Sequence, residues 1–166
     1  GYDFPKPSVR FAQLEEVVEI CRLMWTQDDP SFEGEYYSIS GAAAPPLPEV
    51  VPPVCIGANG EKIGLPLVGR IADMWHNGGR DIAQWSAKRD IVHASATEAG
   101  RDPASIENAI TIEKPLPETD EESEAFVELL AGWHAAGVDH VVFDFGNPES
   151  TEPILRFSEQ VIQALR

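Results

Sequence analysis

Apolar residues at Phe11, Leu14, Val17, Val18, Cys21, Met24 and Trp25 recur at helical spacing, with Glu15, Glu16, Glu19 and Arg22 on the other side. This pattern predicts an amphipathic helix over 11–25, stopped by Asp28-Asp29-Pro30. Glu35 to Ser40 reads as a short strand in a hairpin with Ser31-Phe32. Residues 41–53 run GAAAPPLPEVVPP, and their five prolines exclude both a helix and a central strand. An extended surface connector is expected there. Nine of the 14 prolines precede residue 67, so the regular architecture should begin beyond the connector.

From there the pattern alternates. Pro53 to Gly57 predicts a short buried strand, and Glu61 to Ile71 a helix interrupted by Gly64, Pro66 and Gly69. Ala72 to His76 predicts a second strand, and Asp81 to Ala99 a helix closed by Gly100. Ile106 to Glu113 is a third strand. Glu121 to Ala136 is a helix with Phe126, Leu129, Leu130 and Trp133 inward, closed by Gly137. Val138 to Phe145 is a fourth strand. Thr151 to Leu165 is a last helix, with Pro153 in its first turn and Ile154, Val161, Ile162 and Leu165 on one face. Four such alternations mean βα units with parallel strands, as in a doubly wound sheet or a (β/α) barrel. A whole barrel takes eight units and about 250 residues. With 166 residues and four units, this chain amounts to half of one.

Composition narrows the function classes. Twelve basic residues against 28 acidic ones give a net charge of −16, which argues against nucleic acid and against an anionic membrane surface. At 43% hydrophobic residues the chain can bury a core. No apolar run is long enough to span a membrane, and the start has no signal-like segment, so a cytoplasmic location is expected. The absence of an initial Met points to a processed product or a fragment. Cys21 falls on a core helical face and Cys55 in a strand, and both are expected to be inert buried thiols. No His, Cys or carboxylate pair has metal-ligand spacing, and no G-x-S-x-G elbow occurs.

In parallel α/β folds, sites form at the C-terminal ends of the strands. Four loops qualify: 57–62, 76–80, 114–118 and 146–150. In the first, Gly57, Ala58, Asn59 and Gly60 join a strand to a helix. Glycines there would let backbone amides approach a phosphate, or would simply satisfy the dihedrals of a βα turn. The Rossmann fingerprint G-x-G-x-x-G is absent. In the second, Trp75, His76 and Asn77 stand at a strand end. Either Trp75 packs against a flat cofactor with His76 or Asn77 hydrogen-bonding it, or the group is a core Trp with a polar turn. His134 and His140 are expected to be structural, and His93 to be a surface residue.

Several stretches, in order, resemble the luciferase-like monooxygenase superfamily, in particular its F420-dependent oxidoreductases. The helix ending Leu23-Met24-Trp25-Thr26, the hairpin Phe32-Glu-Gly-Glu-Tyr-Tyr37 and the segment Pro52-Pro-Val-Cys-Ile-Gly57 match family motifs. So do Asn59-Gly-Glu-Lys62, Arg70-Ile-Ala-Asp-Met-Trp75 and Gly100-Arg-Asp-Pro103. Three departures stand out: Ala58 replaces the second glycine of the usual pair, Pro66 stands where an Arg is usual, and His76 is interposed between Trp75 and Asn77. The four βα units that normally precede the opening helix are also missing.

The resemblance implies an α/β fold, a partial (β/α)8 TIM barrel of four C-terminal βα units preceded by a helix and a β-hairpin. Residues 1–52 would be the helix, hairpin and connector, and 53–166 the four units. It implies an oxidoreductase passing hydride between coenzyme F420 and a small organic substrate, with Gly57, Ala58, Asn59 and Gly60 at the cofactor's phosphate-bearing tail and Trp75 and Asn77 in support. No catalytic acid or base is assigned, and no metal is expected. The alternatives are an FMN-dependent monooxygenase of the same superfamily, or a non-catalytic half-barrel. Exposed sheet edges predict homo-oligomerisation or pairing with an N-terminal half.

Overall fold

The computed structural model describes residues 1, 3–148 and 150–165. Helix α1 runs Pro7–Thr26, longer than the apolar pattern predicts, because Pro7 fits a first helical turn, where its missing N–H goes unused. Strands β1, Phe32–Glu33, and β2, Ser38–Ile39, pair antiparallel as the expected hairpin, although Glu35 to Tyr37 form its turn rather than strand. The turn is held by one carboxylate. Glu16 accepts from the amides of Glu35 (2.7 Å), Tyr36 (3.0 Å) and Tyr37 (2.8 Å). A Cβ on Gly34 would lie 2.5 Å from that carboxylate, which explains the glycine in Phe32-Glu-Gly-Glu-Tyr-Tyr37.

After the connector, which forms neither helix nor strand, the chain alternates β3 Cys55–Gly57, α2 Gly64–Ile71, β4 Met74–Gly78, α3 Ile82–Glu98, β5 Glu107–Glu113, α4 Asp120–Ala135, β6 His140–Asp144 and α5 Glu152–Arg156. Residues 157–162 continue α5 as a wider π-type turn. The four strands are parallel and lie in sequence order, β3-β4-β5-β6, each beside the next. A doubly wound sheet would reverse that order. The unbroken order is that of an arc of a (β/α) barrel.

Strand alternation divides the sheet into two faces. Ile56, Trp75, Asn77, Asn108, Ile110 and Ile112 point towards the helices and are buried. The opposite face leaves Glu107, Glu113, His140, Val142 and Asp144 exposed. On the helical side, Trp75 stacks on Trp85 at 5.5 Å between ring centroids, and Trp85 meets Trp133 edge-on at 5.9 Å. Phe126, Phe143, Phe145 and Phe157 form a second aromatic group under α4 and the last helix. Gly100 (φ +73°) and Gly137 (φ +98°) end α3 and α4 in left-handed caps, as their positions predict.

Four expectations need correction. Cys55 is exposed, because β3 is an edge strand and Cys55 points away from the helices, although partial burial still pushes its thiol pKa up. Cys21 is half-buried rather than buried. Ile154 and Leu165 are exposed, while Val161 is buried as expected and Phe157 is buried as well, since the π-type turn changes which residues after Arg156 share a face with those before it. His93 is not a surface residue: its Nε2 is enclosed without a partner, and desolvation lowers its pKa.

Helices α2 and α3 cross at contact distance. A Cβ on Gly69 would lie 2.4 Å from the Val92 carbonyl oxygen and 2.8 Å from the Ala96 amide nitrogen, both backbone atoms that cannot rotate away. Gly69→Ala is therefore expected to cost about 1–3 kcal/mol. Urea unfolding should show a lower midpoint at unchanged slope, and an unchanged midpoint would mean that the two helices can separate freely.

Candidate functional site

The loop after β3 is shaped by side chains of β4. The Trp75 indole N–H donates to the Ala58 carbonyl (3.0 Å), and Asn77 Nδ2 donates to the same oxygen (3.1 Å). Asn77 Nδ2 also lies 3.3 Å from Asn59 Oδ1. Strand β4 extends to Gly78, so His76 and Asn77 lie within the strand and not, as expected, in the loop after it. Alternation then sends Trp75 and Asn77 to the helical side and His76 to the open side. The interposed His76 thus keeps Asn77 on the same face as Trp75, one pleat above it.

Trp75 has 0% exposure and is covered by Trp85. It cannot lie flat against a ligand. It braces the loop from beneath through its N–H. His76 faces the opposite side, where its Nε2 lies 2.8 Å from Thr111 Oγ1 on β5. Ala58 turns its methyl inward: Gly64 at the start of α2 is placed so that its own Cβ would meet Ala58 Cβ at 3.2 Å. An alanine in place of the second glycine therefore fits because a glycine stands opposite.

Gly57, Ala58, Asn59, His76, Asn77 and Gly78 line a groove of about 240 Å³. Whole small-molecule sites usually occupy some 300–1,000 Å³. This groove has room for one end of a ligand. Nothing lies within 4 Å of a Cβ built on Gly57, Gly60 or Gly78, so the space above the loop is open. The donor set also fits an anionic group. Lys88 on α3 donates to Asn59 Oδ1. A lysine ammonium has no acceptor, so the amide oxygen must face it and the amide nitrogen must turn away from it. These features suit a phosphate-bearing cofactor tail.

Sequence reasoning singled out Gly57, Ala58, Asn59, Gly60, Trp75 and Asn77, and the fold gathers all six around one turn. It missed Lys88 and Thr111. Lys88 lies seven residues after the Asp81 cap of α3, about 10 Å down the helix at 1.5 Å per residue. Helical side chains lean back towards the N-terminus, which carries its ammonium to the strand ends. A lysine two turns into a helix that follows a strand-end loop is the signal that could have found it. Thr111 is visible only once the register places β5 beside β4.

Of the other three loops, 114–118 and 146–150 together border a cavity of about 430 Å³, lined by Leu116, Glu118, Phe145 and Asn147 among others. Lys114 stacks on Phe126 at 4.5 Å. The Glu118 amide donates to Glu122 Oε2, and Asp144 Oδ1 accepts from the Gly146 amide. Glu149 of the fourth loop lies outside the described residues. His134 is exposed in the last turn of α4 and His140 on the open face of β6. Larger cavities lie elsewhere. One of about 620 Å³ is bordered by Asp120, Glu124 and Glu128. Another, of about 440 Å³ and mostly apolar, lies between α4, β6 and the last helix. Neither is at the strand C-terminal ends. Among the described residues, no three His, Cys, Asp or Glu side chains are placed to hold a metal. No described helix is long and apolar enough to cross a membrane.

Comparison with known proteins shows the family and the fold. The family model for luciferase-like monooxygenases matches residues 1–157. The F420-dependent glucose-6-phosphate dehydrogenase 2 of Rhodococcus jostii (strain RHA1) is 34% identical over 141 residues, which is 80% of this chain and 40% of that protein. The corresponding enzyme of Nocardia farcinica (strain IFM 10152) is 36% identical over 120 residues, 68% of this chain and 34% of that protein. The chain thus spans about a third to two-fifths of the length of these relatives. Among solved structures, an F420-dependent secondary alcohol dehydrogenase in complex with an F420–acetone adduct superposes with a TM-score of 0.82 at 21% identity, covering 99% of this chain and 64% of that one. At that identity the likeness shows the fold.

The loop geometry makes one quantity testable. Asn77→Ala removes a buried donor to Ala58 and Asn59 while Trp75 still holds the Ala58 carbonyl. A loss of about 1 kcal/mol in stability is expected, with faster amide exchange confined to residues 58–62. Exchange unchanged in that stretch would show that the loop holds its shape without Asn77.

Proposed function

The chain belongs to the luciferase-like monooxygenase family, and we propose that residues 1–166 are the C-terminal half-barrel of an F420-dependent oxidoreductase acting on a small organic substrate. The observation that carries this reading is the donor-lined, open turn at Gly57–Gly60, placed at the C-terminal ends of parallel strands. F420 is favoured over FMN because the curated relatives are named as F420-dependent enzymes.

In this reading Gly57, Ala58, Asn59 and Gly60 receive the cofactor's phosphate-bearing tail. Trp75 and Asn77 fix the turn from the helical side. The glycines leave room for close backbone approach, and the Asn59 amide donates to the tail. Bound F420 supplies the hydride chemistry. This chain's part is binding and orientation, and no proton-transfer residue is assigned to it.

A second feature concerns assembly. Among the described residues, β3 and β6 each have one edge without a partner strand, and the face opposite the helices carries no aromatic core. We read this as a surface completed by a second copy of this chain or by an N-terminal half.

Fluorescence titration with F420 and with FMN tests the cofactor. Quenching or a shift on addition of F420, with weaker response to FMN, is expected; tight binding of FMN alone would sink the F420 assignment. Light scattering tests assembly, with a mass above the 18.2 kDa of one chain expected. A well-folded monodisperse monomer would argue against association through the sheet edges.

A further inference from the structure

We infer that Lys88 is the charge that recognises an anionic group, of phosphate type, held against the Gly57–Gly60 turn. The inference rests on the cofactor site proposed above and adds to it a residue on a different element. Lys88 donates to Asn59 Oδ1 and is half-buried by its position on α3. The same oxygen accepts from Asn77 Nδ2, so the Asn59 acceptor is committed to the protein and its N–H groups are not needed for either contact.

Acidic residues outnumber basic ones 28 to 12. Arg22, Arg70, Arg89, Arg101 and Arg156 all stand within 4.0 Å of a carboxylate. Among the described residues Lys6, Arg10, Lys62, Arg80, Lys88 and Lys114 have no such partner; the other five are exposed, whereas Lys88 is half-buried with a neutral amide as its contact. Holding a half-buried ammonium against a neutral acceptor forgoes the attraction that the chain's many carboxylates could supply. A ligand anion would supply it. Nothing lies within 4 Å of a Cβ built on Gly57 or Gly60, so the turn beside Asn59 leaves open space for an anion. An ammonium with two further N–H groups can bond the amide and the anion together.

Lys88 can be separated from a merely structural lysine by its preference for charge. The test uses the wild-type chain, Lys88→Gln and Lys88→Arg, titrated by fluorescence with F420 and with its phosphate-free deazaflavin core, at low and high salt. Lys88→Gln should weaken F420 about tenfold, as expected for one lost charge-assisted hydrogen bond. It should leave the core unaffected and flatten the salt dependence. Lys88→Arg should keep most of the affinity. Equal weakening of F420 and core, or no weakening of either, overturns the proposal. If the wild-type chain binds neither compound, the cofactor reading fails. The anion site is then judged by NMR titration with inorganic phosphate. Shifts at the Asn59 side-chain amide and the Gly60 amide in wild type, lost in Lys88→Gln, would support it, and their absence in wild type would overturn it.

Discussion

The structure is organised by one stripe of side chains at alternate positions: Asp73, Trp75 and Asn77. Asp73, just before β4, accepts from Arg22 of α1 at 2.8 and 3.0 Å and from the amide of Val54 at 2.9 Å, and lies 4.0 Å from Arg101. The same arginines reach backbone carbonyls, Arg22 that of Ile71 and Arg101 those of Gly69 and Ala72. Three segments therefore converge on one carboxylate at the start of β4, namely α1, the lead into β3 and the turn after α3, and the two arginines tie in the end of α2 as well. Both members of the Arg22–Asp73 pair are 39% exposed, so its worth lies less in bulk stability than in fixing where β4 starts.

Everything above that point follows the alternation of a strand. With Asp73 on the helical side, Trp75 must enter the core between sheet and α3, and Asn77 must reach the loop above. A shift of one residue would turn both side chains to the open face and leave the Ala58 carbonyl without either donor. The hydrophobic core and the candidate site thus share one register. That is why Trp75, the most deeply packed aromatic of β4, is also a hydrogen-bond donor to the turn.

Two features of the chain oppose each other. Its charge is strongly negative, yet its candidate ligand surface presents the Lys88 ammonium and a turn with two open glycines. Eight of the 28 acidic residues lie on α1 and α4, most of them exposed, where they keep the surface hydrated. The sheet is an arc whose inward face holds ionisable groups such as His76, Glu113, His140 and Asp144 where a closed domain would hold a core. Such a surface is what a barrel interior looks like before closure, and it agrees with a chain that spans well under half of its curated relatives.

Much of this was legible in the sequence. Helical spacing set α1, α3 and α4, glycines at 100 and 137 set the ends of the latter two, and prolines at 41–53 set the connector, because these are local effects of backbone sterics and periodicity. The alternation of elements specified parallel βα units, and family motifs located the turn at 57–60. The sequence could not choose between a doubly wound sheet and a barrel, since strand order depends on contacts between distant segments. It misjudged Cys55, whose short apolar strand looked central but lies at an edge. It misjudged Ile154 and Leu165, because a π-type turn changes the helical register without a clear local signal. Lys88 and Thr111 joined the site only when α3 folded back along β4 and β5 aligned beside it. Local residue chemistry determined which elements form; tertiary register decided which side chains meet.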